Sequence, residues 1–399
     1  MRSKLLAATA ALAAALGAAA AIPTTASAAP AAGHAKAHSQ RVCSTPKAGF
    51  AACDALKLVN DQGAAVNAAG SAVTPKAISG KTPANIQDAY KLAGLSAGGR
   101  TVAIVDAYGY PNAERDLGIY RAQWGLSACT KANGCLTIVN QTGGTKPPRT
   151  NVGWAQEQAL DLDAVSAACP SCKILLVQAT SASFGNLGTA VNYAASRGVA
   201  AISNSYGGGD SADSSYGSYY NHSGVAVTAS TGDNGYQGAS FPASSHYVTA
   251  VGGTSLTGSS NARGWNETVW SGAGSGCTTL NAAPAGQTSA MTNCSGRAMA
   301  DVSAVADPAT GLAVYAPTSS SSSSWAQYGG TSLSSPLVAS VYALSGNTSG
   351  YANNKPYAHP SGLFDVTSGS NGPCASWCSA KTGWDGPTGL GTPNGTSAF

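Results

Sequence analysis

Thr101-Val-Ala-Ile-Val-Asp106 is a continuous apolar run that ends on a carboxylate. A strand with one wet face would alternate apolar and polar residues. An unbroken run rich in β-branched side chains instead predicts a parallel strand buried on both faces. Lys173-Ile-Leu-Leu-Val177, Val199-Ala-Ala-Ile-Ser203, Val225-Ala-Val-Thr228 and Tyr247-Val-Thr-Ala-Val251 read the same way. Helical patterns fall between these runs, near 111–123, 153–168 and 184–197. The alternation predicts an α/β fold: a doubly wound, mostly parallel sheet with helices on both faces. Function in such a fold belongs at the carboxyl ends of the strands.

The 399 residues, 43% of them hydrophobic, suffice for one large core or two smaller ones. Only 10% are charged and 49 are glycine, which argues against disorder and for tight turns. The net charge is +4, and Arg2 and Lys4 supply two of those charges. No run of Lys or Arg forms a nucleic-acid footprint.

Arg2 and Lys4 precede an apolar stretch from Leu5 to Ile22, and Ala26-Ser27-Ala28 supplies small residues for cleavage. Residues 1–28 read as an export signal cut after Ala28. A membrane anchor is the alternative, but the stretch is mostly weakly apolar alanine, and no later segment could span a bilayer. The expectation is a secreted, extracellular protein with no stable membrane association. The ten cysteines fall into neighbouring pairs, 43/53, 129/135, 169/172, 277/294 and 374/378. An even count outside the cytosol reads as disulfides, with short local loops the simplest pairing. Cys169-Pro-Ser-Cys172 could instead be a redox or zinc motif, but no second such pair accompanies it. Residues 29–82, rich in Ala, Gly, Lys and Pro, read as an N-terminal extension or short propeptide remnant, ahead of a main domain at 83–399.

The segment Tyr328-Gly-Gly-Thr-Ser-Leu-Ser-Ser-Pro336 follows a serine-rich loop at 319–324 and runs into a helical pattern, Leu337 to Leu344. Pro336 is expected in the first turn, where it loses no partner. Ser332 then lies at a helix N-terminus behind two glycines, where a substrate backbone can approach and negative charge is favoured. An ordinary helix cap would account for Thr-Ser alone but not for the whole pattern. A serine nucleophile needs a base. The five histidines, 34, 38, 222, 246 and 359, lie in no His-Gly-Thr-His segment. The remaining bases are carboxylates. Glu157 and Asp161 sit four apart in Gly153-Trp-Ala-Gln-Glu-Gln-Ala-Leu-Asp-Leu-Asp163, on one helix face with Trp154, Val165 and Ala168. Two carboxyls on an apolar stripe avoid repulsion by sharing a proton.

Gly-Thr-Ser-x-Ser-x-Pro resembles the nucleophile motif shared by subtilisins and sedolisins, and Glu157-x-x-Leu160-Asp161 resembles the sedolisin catalytic segment. The resemblance implies a subtilisin-like fold over roughly 83–399 and a serine-carboxyl peptidase, an endopeptidase or a tripeptidyl peptidase. It makes Ser332 the nucleophile, Glu157 its base and Asp161 the group that orients Glu157. Asp163 takes no catalytic part and is given a structural or surface role. Thr228-Ala-Ser-Thr-Gly-Asp-Asn-Gly235, with Phe241-Pro-Ala-Ser-Ser245 after it, resembles the segment of the oxyanion aspartate, here Asp233. A protonated Asp233 could donate to an oxyanion where a charged one would repel it. Ser203-Asn-Ser-Tyr-Gly207 resembles the strand end that pairs with substrate backbone. Phe364-Asp-Val-Thr-Ser-Gly369 and Thr382-Gly-Trp-Asp-Gly-Pro-Thr-Gly-Leu-Gly391 resemble terminal Ca2+ loops. That match implies carboxylate ligands Asp365 and Asp385 and carbonyl ligands Val366, Lys381 and Gly383. Lys381 stands where glycine is usual. The extension is shorter than the propeptide that members of the family carry. The partners implied are protein or peptide substrates, with the enzyme a monomer working best in acid. Two other readings are a non-catalytic secreted binding protein on the same fold, and a subtilisin-type enzyme using His222 or His246.

Overall fold

The computed structural model describes residues 36–347, 349–374 and 377–399. The expected signal at 1–28, and 29–35 after it, lie outside the described residues. The chain starts with β1 (His38–Arg41), β2 (Ala52–Cys53), β3 (Leu56–Val59) and α1 (Pro83–Ala89). Strand–helix alternation follows: β4 (Thr101–Ala107), α2 (Ala113–Gln123), β5 (Leu136–Asn140), α3 (Val152–Ala168), β6 (Lys173–Ala179), α4 (Phe184–Ser196) and β7 (Ala201–Asn204). After β8 (Tyr206–Gly209) and the one-turn α5 (Asp213–Tyr216) come β9 (Ala226–Ser230), β10 (Ser240–Phe241), β11 (Thr249–Gly258) and β12 (Trp265–Val269). Next are β13 (Gly276–Thr278), the one-turn α6 (Ser289–Thr292), β14 (Arg297–Met299), β15 (Val302–Val305), β16 (Leu312–Pro317), β17 (Ser323–Gly329) and α7 (Thr331–Ser345).

The central sheet runs β12-β11-β9-β7-β4-β6-β5, with β15 also paired to β11. Every pair is parallel except β11–β12. Side chains alternate along β4: Val102 and Ile104 join one buried cluster, Ala103 and Val105 the other. Leu160 and Val165 of α3 and Leu337 and Val341 of α7 complete the first. Leu187 and Val191 of α4 complete the second. Two apolar faces explain the unbroken apolar run at 101–105, and the doubly wound fold expected of the sequence is the one observed. β5 and β15 were not legible as strands: Thr137 is exposed, and β15 is four residues long. The serine-rich stretch read as a loop to 324 turns into β17 at Ser323.

All five expected cysteine pairs are disulfides. Over its described part, from residue 36, the extension expected at 29–82 pairs with later strands. β3 pairs with β1 and β17, and β2 pairs with β8. Leu56, Leu58 and Val59 are buried, and a composition poor in long apolar runs concealed this.

The start of α7 departs from expectation. Pro336 is the sixth helical residue, in the second turn, not the first. Its missing amide would have bonded the carbonyl of Ser332. Ser205 Oγ lies 3.2 Å from that carbonyl. Gly330 ahead of the helix has φ +95°, and a Cβ there would lie 1.9 Å from the Asp54 carbonyl oxygen. Gly330→Ala is expected to lower unfolding free energy by roughly 2–3 kcal/mol, from strain and collision together. Urea unfolding followed by circular dichroism measures it.

Candidate active site

The carboxyl ends of β4, β7 and β9 converge with the N-terminal half of α3 and the start of α7. Asn151 caps α3, its side chain accepting from the Trp154 amide at 3.1 Å. Nearly all of α3 is buried, so Glu157 and Asp161 on one face point inward with no exposure.

Ser332 Oγ donates to Glu157 Oε2 at 2.8 Å and lies 3.2 Å from the Ser205 carbonyl. Asp161 Oδ1 accepts from Ser205 Oγ at 2.8 Å. Glu157 Oε1 and Asp161 Oδ2 are buried without a hydrogen-bond partner. A proton shared between two neighbouring carboxyls removes their repulsion, and these two oxygens are the atoms free to hold one. Burial pushes Glu157 well above the usual range, helped by repulsion from Asp161 and Asp106 and opposed by the Ser332 hydroxyl. Asp161 is raised by burial and by Asp106.

Asp233 lies in the turn after β9. Its Oδ1 accepts from the Thr331 amide at 2.7 Å and Thr331 Oγ1 at 2.9 Å, while Oδ2 has no partner. Burial, then repulsion from Asp54, raises it well above the usual range. The geometry thus gathers Ser332, Glu157, Asp161 and Asp233. Ser203-Asn-Ser-Tyr-Gly207 lies beside them as the end of β7 and the start of β8.

Asp163 is fully buried and accepts from the Tyr315 amide at 3.0 Å, so the surface role considered for it does not hold. His222 Nε2 sits 3.0 Å from the Tyr219 carbonyl, and His246 Nδ1 contacts the carbonyls of Ala282 and Ala283. No imidazole among the described residues bonds Ser332. Two acids escaped the sequence reading of the site. Asp106, next to last in β4, has both oxygens buried and unpartnered, and burial raises it well above the usual range. The carboxyl end of a central strand was the signal available for it. Asp54, whose Oδ2 accepts from Ser230 Oγ at 2.7 Å, is pushed up to about 6 by burial. Nothing in its sequence neighbourhood marks it.

A family model described as the Subtilase family matches residues 144–357. Kumamolisin of Bacillus sp. (strain MN-32) is 32% identical over 354 residues, 79% of this chain and 62% of that protein. A solved Pseudomonas sedolisin, a serine-carboxyl proteinase complexed with two molecules of pseudo-iodotyrostatin, aligns with a TM-score of 0.67 at 27% identity. The alignment covers 79% of this chain and 96% of that one. The chain is a subtilase of the sedolisin family. Sedolisin of Pseudomonas sp. (strain 101) is 34% identical over 171 residues, 38% of this chain. This sedolisin-family chain spans less than two thirds of the curated relatives it matches, 62% of kumamolisin and 28% of sedolisin.

Buried acids with raised values must either keep protons or be ionised at a cost. Their contribution to stability is full below about pH 4 and is lost as pH rises through the raised values. Asp106→Asn is expected to make this loss shallower by up to about 1.4 kcal/mol per pH unit. Urea midpoints across acid and neutral pH measure the slope.

Proposed function

We propose that this chain is a secreted serine-carboxyl peptidase that hydrolyses protein or peptide substrates through an acyl-enzyme. The observation that carries the reading is the 2.8 Å hydrogen bond from Ser332 Oγ to Glu157 Oε2 inside a cluster of buried acids. In this mechanism Ser332 Oγ attacks the scissile carbonyl while Glu157 accepts its proton. Glu157 returns the proton to the leaving amine as the C–N bond breaks. Water then attacks the acyl-enzyme and loses a proton to Glu157, which passes it to Ser332 Oγ as the ester C–O bond breaks and the acid product leaves. Asp161 holds Glu157 in place through their shared proton. Asp233, protonated on Oδ2, donates to the oxyanion while Thr331 fixes its Oδ1. All these groups come from one chain, so a monomer suffices. The disulfides and the signal pattern at 1–28 support export, and no helix among the described residues is long and apolar enough to cross a membrane.

Rising pH strips the proton from Asp233 and turns a donor into a repelling charge, so activity is expected to fall from acid to neutral pH. Hydrolysis of a denatured protein across that range measures it, and a maximum above neutrality overturns the assignment to Asp233. Ser332→Ala and Glu157→Gln are each expected to lower kcat by about a thousandfold or more while the fold survives. Full activity in either removes its role.

A calcium ion belongs to the same reading. Asp365, Asp385 and the carbonyls of Val366, Lys381 and Gly383 form an all-oxygen donor set, the kind this ion takes. Asp365 Oδ2 accepts from the Gly383 amide at 2.9 Å, which ties the two loops together. Asp385 is buried, and desolvation pushes it up to about 6 with Asp365 adding repulsion. Two acids without a cation of their own fit a bound one, although among the described residues no group of three acids, histidines or cysteines forms a ligand cluster. The ion would brace the C-terminal loops and take no part in proton transfer. Chelation is expected to lower Tm by several degrees, and Asp385→Asn to abolish the response to added calcium. An unchanged Tm in the wild type removes the site.

A further inference from the structure

The turn that carries Asp233 is held on one side by Thr331. Thr331 donates to Asp233 Oδ1, and its Oγ1 accepts from the Gly232 amide at 3.0 Å. The other side of the turn rests on two segments that carry none of the groups assigned to catalysis. Residues 271–275, between β12 and β13, are the first. The Gly274 amide donates to the Gly232 carbonyl at 2.7 Å, and the Gly235 amide donates to the Gly272 carbonyl at 2.9 Å. Tyr236 pairs with Ser275 in a parallel bridge. The second support is a loop near the C-terminus. The Tyr236 amide donates to the Asn371 carbonyl at 3.2 Å. The Asn371 amide donates in turn to the Cys378 carbonyl at 3.1 Å, and a disulfide joins Cys378 to Cys374. Both approaches need glycine. A Cβ on Gly274 would lie 2.1 Å from the Thr231 carbonyl oxygen. One on Gly235, at φ +68°, would lie 2.5 Å from the Asn371 carbonyl oxygen. Asn371 is 4% exposed, and its side chain joins the two supports to each other. Its Nδ2 donates to the Ala273 carbonyl at 2.7 Å and to Ser275 Oγ at 2.8 Å. Oδ1 has no partner, so the side chain acts through its two N–H donors.

We propose that Asn371 is a positioning residue for the oxyanion site. By clamping 271–275 to the C-terminal loop it fixes the turn 231–236, and with it the direction of Asp233 Oδ2. That oxygen has no partner of its own, so its aim follows the backbone of the turn and the bonds at Oδ1. An oxyanion donor works over a narrow range, about 2.7–3.1 Å from where the oxyanion will lie. A misplacement of about 1 Å costs on the order of a hundredfold in rate. Asn371 makes no hydrogen bond to α3 or α7, which carry Glu157 and Ser332, so the nucleophile and its base stay in place without it. The proposal rests on the peptidase reading in assigning Asp233 to the oxyanion. The clamp on the turn does not depend on that reading.

The test uses the full chain and Asn371→Ala. Ser275→Ala, which deletes one of the two acceptors, is a milder second variant. The probes are a peptide aldehyde and the matching peptide alcohol. Ser332 Oγ adds to the aldehyde carbon, its proton passes to Glu157, and the carbonyl oxygen becomes the oxyanion that Asp233 meets. The alcohol binds without forming one. In Asn371→Ala the inhibition constant of the aldehyde is expected to rise between about tenfold and about a hundredfold, and that of the alcohol by less than about twofold. For a peptide substrate kcat falls while KM is kept. Ser275→Ala is expected to move the same ratio by about threefold. A folded Asn371→Ala in which aldehyde and alcohol lose affinity alike, or neither loses any, overturns the proposal. Where that variant does not fold, Ser275→Ala decides by the same ratio. Hydrogen exchange at the Gly235 and Tyr236 amides keeps this result apart from the peptidase reading. If the wild type neither hydrolyses peptides nor binds the aldehyde, the peptidase reading fails and exchange alone decides the clamp. Faster exchange at those two amides in Asn371→Ala upholds it, and unchanged exchange overturns it.

Discussion

A serine hydroxyl donating to a buried carboxyl, with no cation to share the burden, is the interaction around which this structure is arranged. Asp54, Asp106, Glu157, Asp161 and Asp233 form one buried cluster, and among the described residues none of them has an ion-pair partner. Isolated buried charges of this number would be prohibitive, so protons must take the place of counterions. That need links geometry to chemistry. The orphaned oxygens of Glu157 and Asp161 are placed to carry a proton, and the free Oδ2 of Asp233 is suited to carry another. A base whose affinity for protons is raised, and an acid that stays neutral, are what acyl transfer from serine needs when imidazole is absent.

The fold exists to hold these groups still. A parallel sheet with two covered faces lets α3 and α7 pack together on one of them, and each helix contributes one partner of the central hydrogen bond. Proline in the second turn of α7 frees the Ser332 carbonyl, and Ser205 Oγ lies 3.2 Å from it and 2.8 Å from Asp161 Oδ1. One serine on the strand connection thus sits between the backbone of Ser332 and the carboxyl of Asp161. The buried Arg297–Asp301 pair, fixed by Gln287 and Tyr357, contrasts with this site. There, acid meets base and burial is compensated in the ordinary way.

The central strands, the helix that carries Glu157 and Asp161, the helix start at Ser332 and the local cysteine pairing were legible in the amino-acid order. Each is written in residues adjacent along the chain: apolar runs, a spacing of four, a glycine pair before Thr-Ser, cysteines a few residues apart. β5 was missed because its exposed Thr137 breaks the apolar run, and β15 because four residues carry too little pattern. Pro336 was placed a turn early because sequence does not show where a helix begins when glycine precedes it.

The sequence by itself determined the fold class and which residue types are available for proton transfer, because periodicity and local motifs survive without neighbours. Only the tertiary structure decided that Asp106 and Asp54 join the acid cluster and that β2 and β3 pair with β8 and β17. Those facts depend on contacts between segments far apart in the chain, such as Asp54 with Gly330. A short strand of small residues looks like a linker until the edge it pairs with is known.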